Sequence, residues 1–412
     1  MKPAQESAPE DSNAKKHREA NHLLIAGSLL NAIAFFSASP FLTLYLKDHS
    51  QLSLAVIGGV VGSIALISAI GGIVGGVMVD RLGAVICIRA GLAIYIVIYL
   101  LLALVEATAM IVALIMLLGF GRLLIEPAMK KLMSLAGGDD GSIFRFRYMT
   151  LCIGAIVGPA VGGLLYLGGS VYLFVCPAAL FAAYLLLLAV RGSTLIALEP
   201  EAAATGEGEA KQSYADLFRG LVRDRRLMAA IGAGMVIFLV FSQIDSIIPL
   251  FIRAENEDRA VAIIASLLMV NAVLGILVQA PIAWLGKRLS ERSLVVMGCV
   301  AFAAGLILFL GMQVSPVFLY VGIVLWTLGE AILLPMPDIA IHKMAEDGQK
   351  GTYFGLAELR YVGFFVGPVI GGGLLAIGAT IYFVTMAVAI FGCVPLLVRN
   401  IARRAPIAEV VP

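Results

Sequence analysis

The chain has 412 residues, of which 61% are hydrophobic and 14% charged, with a formal net charge of +2. A soluble protein carries about a quarter charged residues. This one instead gathers apolar residues in runs of roughly 20, the length that crosses a hydrocarbon core about 30 Å thick. A soluble fold is thereby excluded, and the spanning elements are expected to be helices, because a backbone in lipid must satisfy its own hydrogen bonds.

Residues 1–21, MKPAQESAPEDSNAKKHREAN, are polar and of mixed charge. They lack the apolar core and the small-residue cleavage site of a secretory signal, so a disordered tail is expected. Twelve apolar spans follow, at roughly 23–46, 53–78, 84–105, 107–129, 149–168, 170–190, 227–250, 261–285, 293–313, 316–337, 354–377 and 379–398. The polar break at 191–226 divides them six and six. Its first part, LEPEAAATGEGEAKQS, reads as a flexible linker, and SYADLFRGLVRDRR as an amphipathic helix on the membrane surface. The expected organisation is a six-helix bundle over 22–190, this linker, a second bundle over 227–398, and a tail over 399–412.

The positions of lysine and arginine set the orientation. Of the 29 basic residues, 24 fall on the side that holds the N-terminus and 3 (Lys47, Arg253, Arg259) on the other. Both termini are therefore expected to face the cytoplasm, in an inner membrane. Cysteines 87, 152, 176, 299 and 393 lie mostly in apolar runs and read as small packing residues. No Cys-x-x-Cys or Cys/His cluster occurs, so no metal site is expected.

The halves echo one another. Residues 154–163 read GAIVGPAVGG and residues 363–372 read GFFVGPVIGG, 209 positions apart. Pro40 in span 1 and Pro249 in span 7 keep that offset. Gly121 through Pro127 in span 4 align with Gly329 through Pro335 in span 10 at 208. A repeat of six helices in parallel orientation is a transporter design that works by alternating access. The glycines Gly154, Gly158 and Gly162, with Pro159, and Gly363, Gly367 and Gly371, with Pro368, permit close helix contact and local bending. Each glycine face is expected to pack on a neighbour from the other half.

These features resemble the major facilitator superfamily over nearly the whole chain after residue 22. The turn between spans 2 and 3, Gly76-Val77-Met78-Val79-Asp80-Arg81-Leu82-Gly83, is similar to that family's loop signature, although the basic pair that usually follows is replaced by Ala84 and Val85. Asp80 at a helix junction can accept backbone N–H groups or pair with arginine, latching one state. GAIVGPAVGG resembles the span-5 signature of the antiporter branch. The resemblance implies a fold of twelve transmembrane helices in two pseudo-symmetric six-helix bundles around a central cavity, and export in exchange for protons. The family's span-4 arginine is missing, with Ile115 and Leu118 at its signature positions.

Ionisable groups inside membrane helices are costly and point to function. Arg122 and Glu126 lie one turn apart in span 4, Arg122 about 22 Å from the outer boundary at 1.5 Å per residue. They can neutralise one another or serve separately. Glu330 holds the repeat-equivalent place of Arg122 in span 10. Glu358 and Arg360 lie in span 11, where they can form an ion pair, and Asp245 in span 7. A carboxylate in a partly dry cavity can take and release a proton, which makes Glu330, then Glu126 and Asp245, the expected proton carriers. Arg122, Arg360, Glu358, Asn31, Gln243, Phe36 and Trp326 are the candidate substrate contacts.

No G-x-x-x-x-G-K-[ST] loop is present for ATP. The function expected is a proton-driven exporter of a small organic molecule, resembling multidrug efflux. A dedicated exporter of an anionic product such as a polycarboxylate siderophore is the alternative. An importer, a receptor or a lipid-handling protein ranks below these, and no nucleophile–base pair suggests an enzyme. The expected partners are substrate, protons and the bilayer, with no nucleic acid, no cofactor beyond the proton gradient, and a monomeric chain.

Overall fold

A computed structural model describes residues 9–52, 54–138, 141–199 and 214–401, and every regular element among them is helical. Two compact units form. The first takes residues 1–210 and 345–356, the second 211–344 and 357–412. The linker sequence over 200–213 lies outside the described residues.

The first unit contains α1 (Pro9–His49), α2 (Leu54–Leu82), α3 (Ala84–Leu102), α4 (Thr108–Ala136), α5 (Ser142–Gly168) and α6 (Ser170–Ile196). In the second half of the chain come α7 (Tyr214–Arg223), α8 (Arg225–Phe241), α9 (Gln243–Glu255), α10 (Ala260–Leu277), α11 (Gln279–Gly286), α12 (Glu291–Phe309), α13 (Val317–Leu333) and α14 (Met336–Met344). They are followed by α15 (Lys350–Ala357), α16 (Tyr361–Ile377), α17 (Ala379–Ala389) and α18 (Cys393–Ile401). Eleven spans among the described residues are long and apolar enough to cross a membrane. The α10–α11 pair, bent by 41°, makes twelve. Large apolar side chains such as Ile70, Leu186, Met269 and Val388 are 64–66% exposed, as a lipid-facing surface requires.

Residues 9–21 correct the expectation of a disordered tail, because α1 begins at Pro9. Ala20 is fully buried and the His17 ring nitrogen lies 3.3 Å from the carbonyl of Ala136, so the start of α1 docks on the end of α4. Residues 214–223 form the expected short helix, and Asp224 then caps α8 by accepting from the N–H groups of Arg226 and Leu227.

Small residues bring the helices together. In the first unit a Cβ at Gly75 would lie 2.1 Å from the carbonyl oxygen of Leu123, and one at Gly91 2.8 Å from that of Gly121. The second unit repeats this seam between α12 and α13, where a Cβ at Gly329 would lie 2.7 Å from the Gly298 carbonyl oxygen. Without a hydrophobic force between helices in lipid, such close backbone approach supplies much of the packing energy.

Candidate functional site

The turn after α2 needs glycine at its last position, since Gly83 has φ of +93°, a region L-residues rarely enter. The turn aims Asp80 at the start of α15. Asp80 accepts from the N–H of Gly351 at 2.9 Å, the N–H of Thr352 at 2.7 Å and the Thr352 hydroxyl at 2.6 Å. These are first-turn donors that no helical carbonyl can satisfy. Gly76 makes the approach possible, because a Cβ there would stand 2.3 Å from the Gly351 carbonyl oxygen. Arg81 is exposed beside this contact.

The family's absent basic pair has a substitute. Lys131, from α4, lies 3.0 Å from Asp80 and 3.4 Å from Glu199, and Glu199 accepts from the N–H of Ala84 at the start of α3. Arg89, the next basic residue along the chain, instead donates to the Leu188 carbonyl. Lys131 and Glu199 were not legible as partners of Asp80, because they meet it only through the ends of α4 and α6.

Deeper in the first unit, Glu126 is bound by Arg147 of α5 at 2.5 Å, with Lys130 at 4.0 Å. Arg122, one turn before Glu126, holds its guanidinium 5.7 Å from the centre of the Phe35 ring. Phe35 borders an aromatic cleft with Ser39, Tyr95, Tyr99 and Phe181. Asn31 is half-buried on α1, and its side-chain oxygen has no hydrogen-bond partner.

The glycine phrases pack within their own halves, which corrects the expected cross-half contact. A Cβ at Gly154 would meet Ala32, at Gly158 the β-carbon and backbone of Phe36, and at Gly162 the Ser37 carbonyl oxygen at 2.1 Å, all on α1. In the second unit Gly363 faces the Met235 carbonyl of α8, Gly367 the hydroxyl of Ser242 between α8 and α9, and Gly371 the Gln243 carboxamide of α9. Pro159 and Pro368 sit inside unbroken helices. The phrase therefore joins span 5 to span 1 and span 11 to span 7.

Gln243 is fully buried. It accepts from the Tyr382 hydroxyl at 3.1 Å and donates to the Leu239 carbonyl at 2.8 Å, so it knits three helices. Asp245, two residues on, is exposed. Glu330 is 4% exposed on α13 and accepts from the Asn271 amide at 2.7 Å, and the same amide donates to Thr327 at 3.0 Å. Trp326 corrects a further expectation. It is fully buried between Phe302 and Phe309, with ring centroids 4.1 and 5.9 Å away, which is a packing position and not a cavity wall.

Arg360 is also placed differently from its expected role. It donates both terminal nitrogens to Asp338 of α14, at 2.8 and 3.1 Å, while Glu358 stands 4.0 Å from the same guanidinium. With 1% of its surface exposed, Arg360 is occupied inside the protein. The two halves thus share a device the sequence did not reveal, a carboxylate on the fourth span held by an arginine on the fifth. The pairs are Glu126–Arg147 and Asp338–Arg360. Arg147 and Asp338 each lie just beyond the apolar run of their span, so no charge within a run marks them.

The model for the Major Facilitator Superfamily matches residues 24–359 and 258–410. This chain belongs to that superfamily. A superfamily relative, the uncharacterized MFS-type transporter YqjV of Bacillus subtilis, is 25% identical over 368 residues, covering 87% of this chain and 88% of that one. The multidrug resistance protein MdtH of Edwardsiella ictaluri is 23% identical and covers 92% of each chain. Among solved structures, the human organic anion transporter MFSD10 superposes with a TM-score of 0.74, over 92% of this chain and 99% of that one. At 16% identity that likeness establishes the superfamily fold. The chain is a multi-pass membrane transporter of the superfamily, not an enzyme, and its glycine signature from Gly76 to Gly83 forms the Asp80 contact described above.

Proposed function

We propose that this chain is a proton-coupled antiporter that exports a small organic molecule by alternating access, from an inner membrane with both termini in the cytoplasm. The observation that carries the reading is the Glu330–Asn271–Thr327 cluster, a nearly buried carboxyl group at membrane depth with an amide donor at 2.7 Å. An amide can solvate a carboxyl group in either protonation state, so the Asn271 contact suits proton uptake and release at Glu330. Glu330 is therefore the proton carrier of choice. Similarity to a multidrug resistance protein supports the outward direction, as does the glycine phrase at 154–163. The 24-to-3 distribution of basic residues supports the orientation.

A second reading, export of a polycarboxylate anion such as a siderophore, is favoured by Arg122, whose guanidinium stands over Phe35 beside the aromatic cleft. One experiment addresses both. Proteoliposomes are given a pH gradient and offered ethidium or citrate, and wild type is compared with Glu330→Gln. Gradient-driven movement of one probe that collapses in the variant is the expected result. Movement that survives the substitution unchanged removes Glu330 as the carrier, and the probe that moves decides the substrate class.

A further inference from the structure

Two of the five cysteines are not the isolated packing residues that the sequence implies. Cys299 on α12 and Cys393 at the start of α18, 94 residues apart, bring their sulfur atoms to 3.4 Å. Both side chains are fully buried, and the Cys299 thiol also lies 3.7 Å from the Ile390 carbonyl oxygen. Both thiols are free. Their sulfurs are already at contact distance, against a disulfide bond length of about 2.05 Å.

We propose that Cys299 and Cys393 form an oxidisable dithiol, a modification site at which a lipid-soluble two-electron oxidant of the azo or quinone class staples α12 to α18. The balance is simple. One thiol adds across the oxidant's N=N bond, and its proton goes to the far nitrogen. The second thiol then displaces that nitrogen group from sulfur and gives up its own proton to it. One S–S bond forms, two S–H bonds are lost, and the azo compound leaves as a hydrazine. Burial in apolar surroundings selects such an oxidant over charged ones. The staple also bears on the Glu330 helix, because α12 packs on α13 at Gly298, next to Cys299, where a Cβ would lie 3.0 Å from Ile332 and Leu333.

The test uses the full-length protein in detergent or liposomes, treated with diamide. The chain is then denatured in the presence of N-ethylmaleimide, so that buried thiols are also blocked, and afterwards reduced and labelled with a maleimide-polyethylene glycol. Two labels per chain are expected after diamide and none without it, with the labelled peptides containing Cys299 and Cys393. A protein carrying Cys87→Ser, Cys152→Ser and Cys176→Ser is expected to behave identically, and its intact mass to fall by two hydrogens. Absence of labels, labels on other cysteines, or a disulfide linking two chains on a non-reducing gel would each overturn the assignment.

Discussion

Arg360 grips Asp338 with both guanidinium nitrogens, at 2.8 and 3.1 Å, and both side chains are almost wholly inside the second unit. A bidentate pair of this kind is strong in place and costly to halve, because the survivor is left as a buried charge. Asp338→Asn is expected to lower stability by about 3–5 kcal/mol. The triple variant Asp338→Leu, Arg360→Met and Glu358→Gln, which also neutralises the carboxyl group 4.0 Å from the guanidinium, is expected to recover much of that loss. Thermal unfolding in detergent checks both, and a triple variant no more stable than Asp338→Asn would show that the loss does not come from a stranded charge.

The Asp80 contact is expected to govern the order of α15. Asp80→Ala removes three hydrogen bonds donated by Gly351 and Thr352. Loss of a capping carboxylate costs about 1 kcal/mol of local stability. Hydrogen–deuterium exchange should therefore rise several-fold in peptides covering 350–357 and stay unchanged over 291–309. Uniform change in both regions would point to a global effect instead.

Lys131 bridges Asp80 and Glu199 at 3.0 and 3.4 Å and is itself buried. Lys131→Met should destabilise the first unit more than Glu199→Gln does. The two substitutions are in one network, so their effects should miss additivity by about 0.5–3 kcal/mol. A strictly additive double variant would separate Glu199 from the contact.

The glycine phrase of span 11 offers a test with a built-in control. Gly367→Ala would set a methyl group 2.1 Å from the Ser242 hydroxyl and 2.5 Å from the Leu239 carbonyl oxygen, whereas Gly373 on the same helix faces open space. Overpacking costs about 1–3 kcal/mol, while alanine for glycine in a helix interior gains about 0.5–1 kcal/mol. Gly367→Ala should lower the melting temperature and Gly373→Ala should hold or raise it. Equal behaviour of the two would mean that α16 does not seat on α8 and α9 through its glycines.

The sequence alone determined the helices, their grouping into two repeated halves and the glycine phrases that mark equivalent spans. Each of these depends on local quantities, namely the length of an apolar run and the recurrence of residues at one offset. Partner choice was decided by the tertiary structure. Glu126 meets Arg147 of α5, Arg360 takes Asp338 of α14 with two hydrogen bonds while Glu358 stands at 4.0 Å, and Trp326 disappears between two phenylalanines. The glycine faces close on helices of their own half. Such outcomes turn on the rotation and axial offset of packed helices, where a shift of one residue turns a side chain by about 100°, and no periodicity within a single span records them.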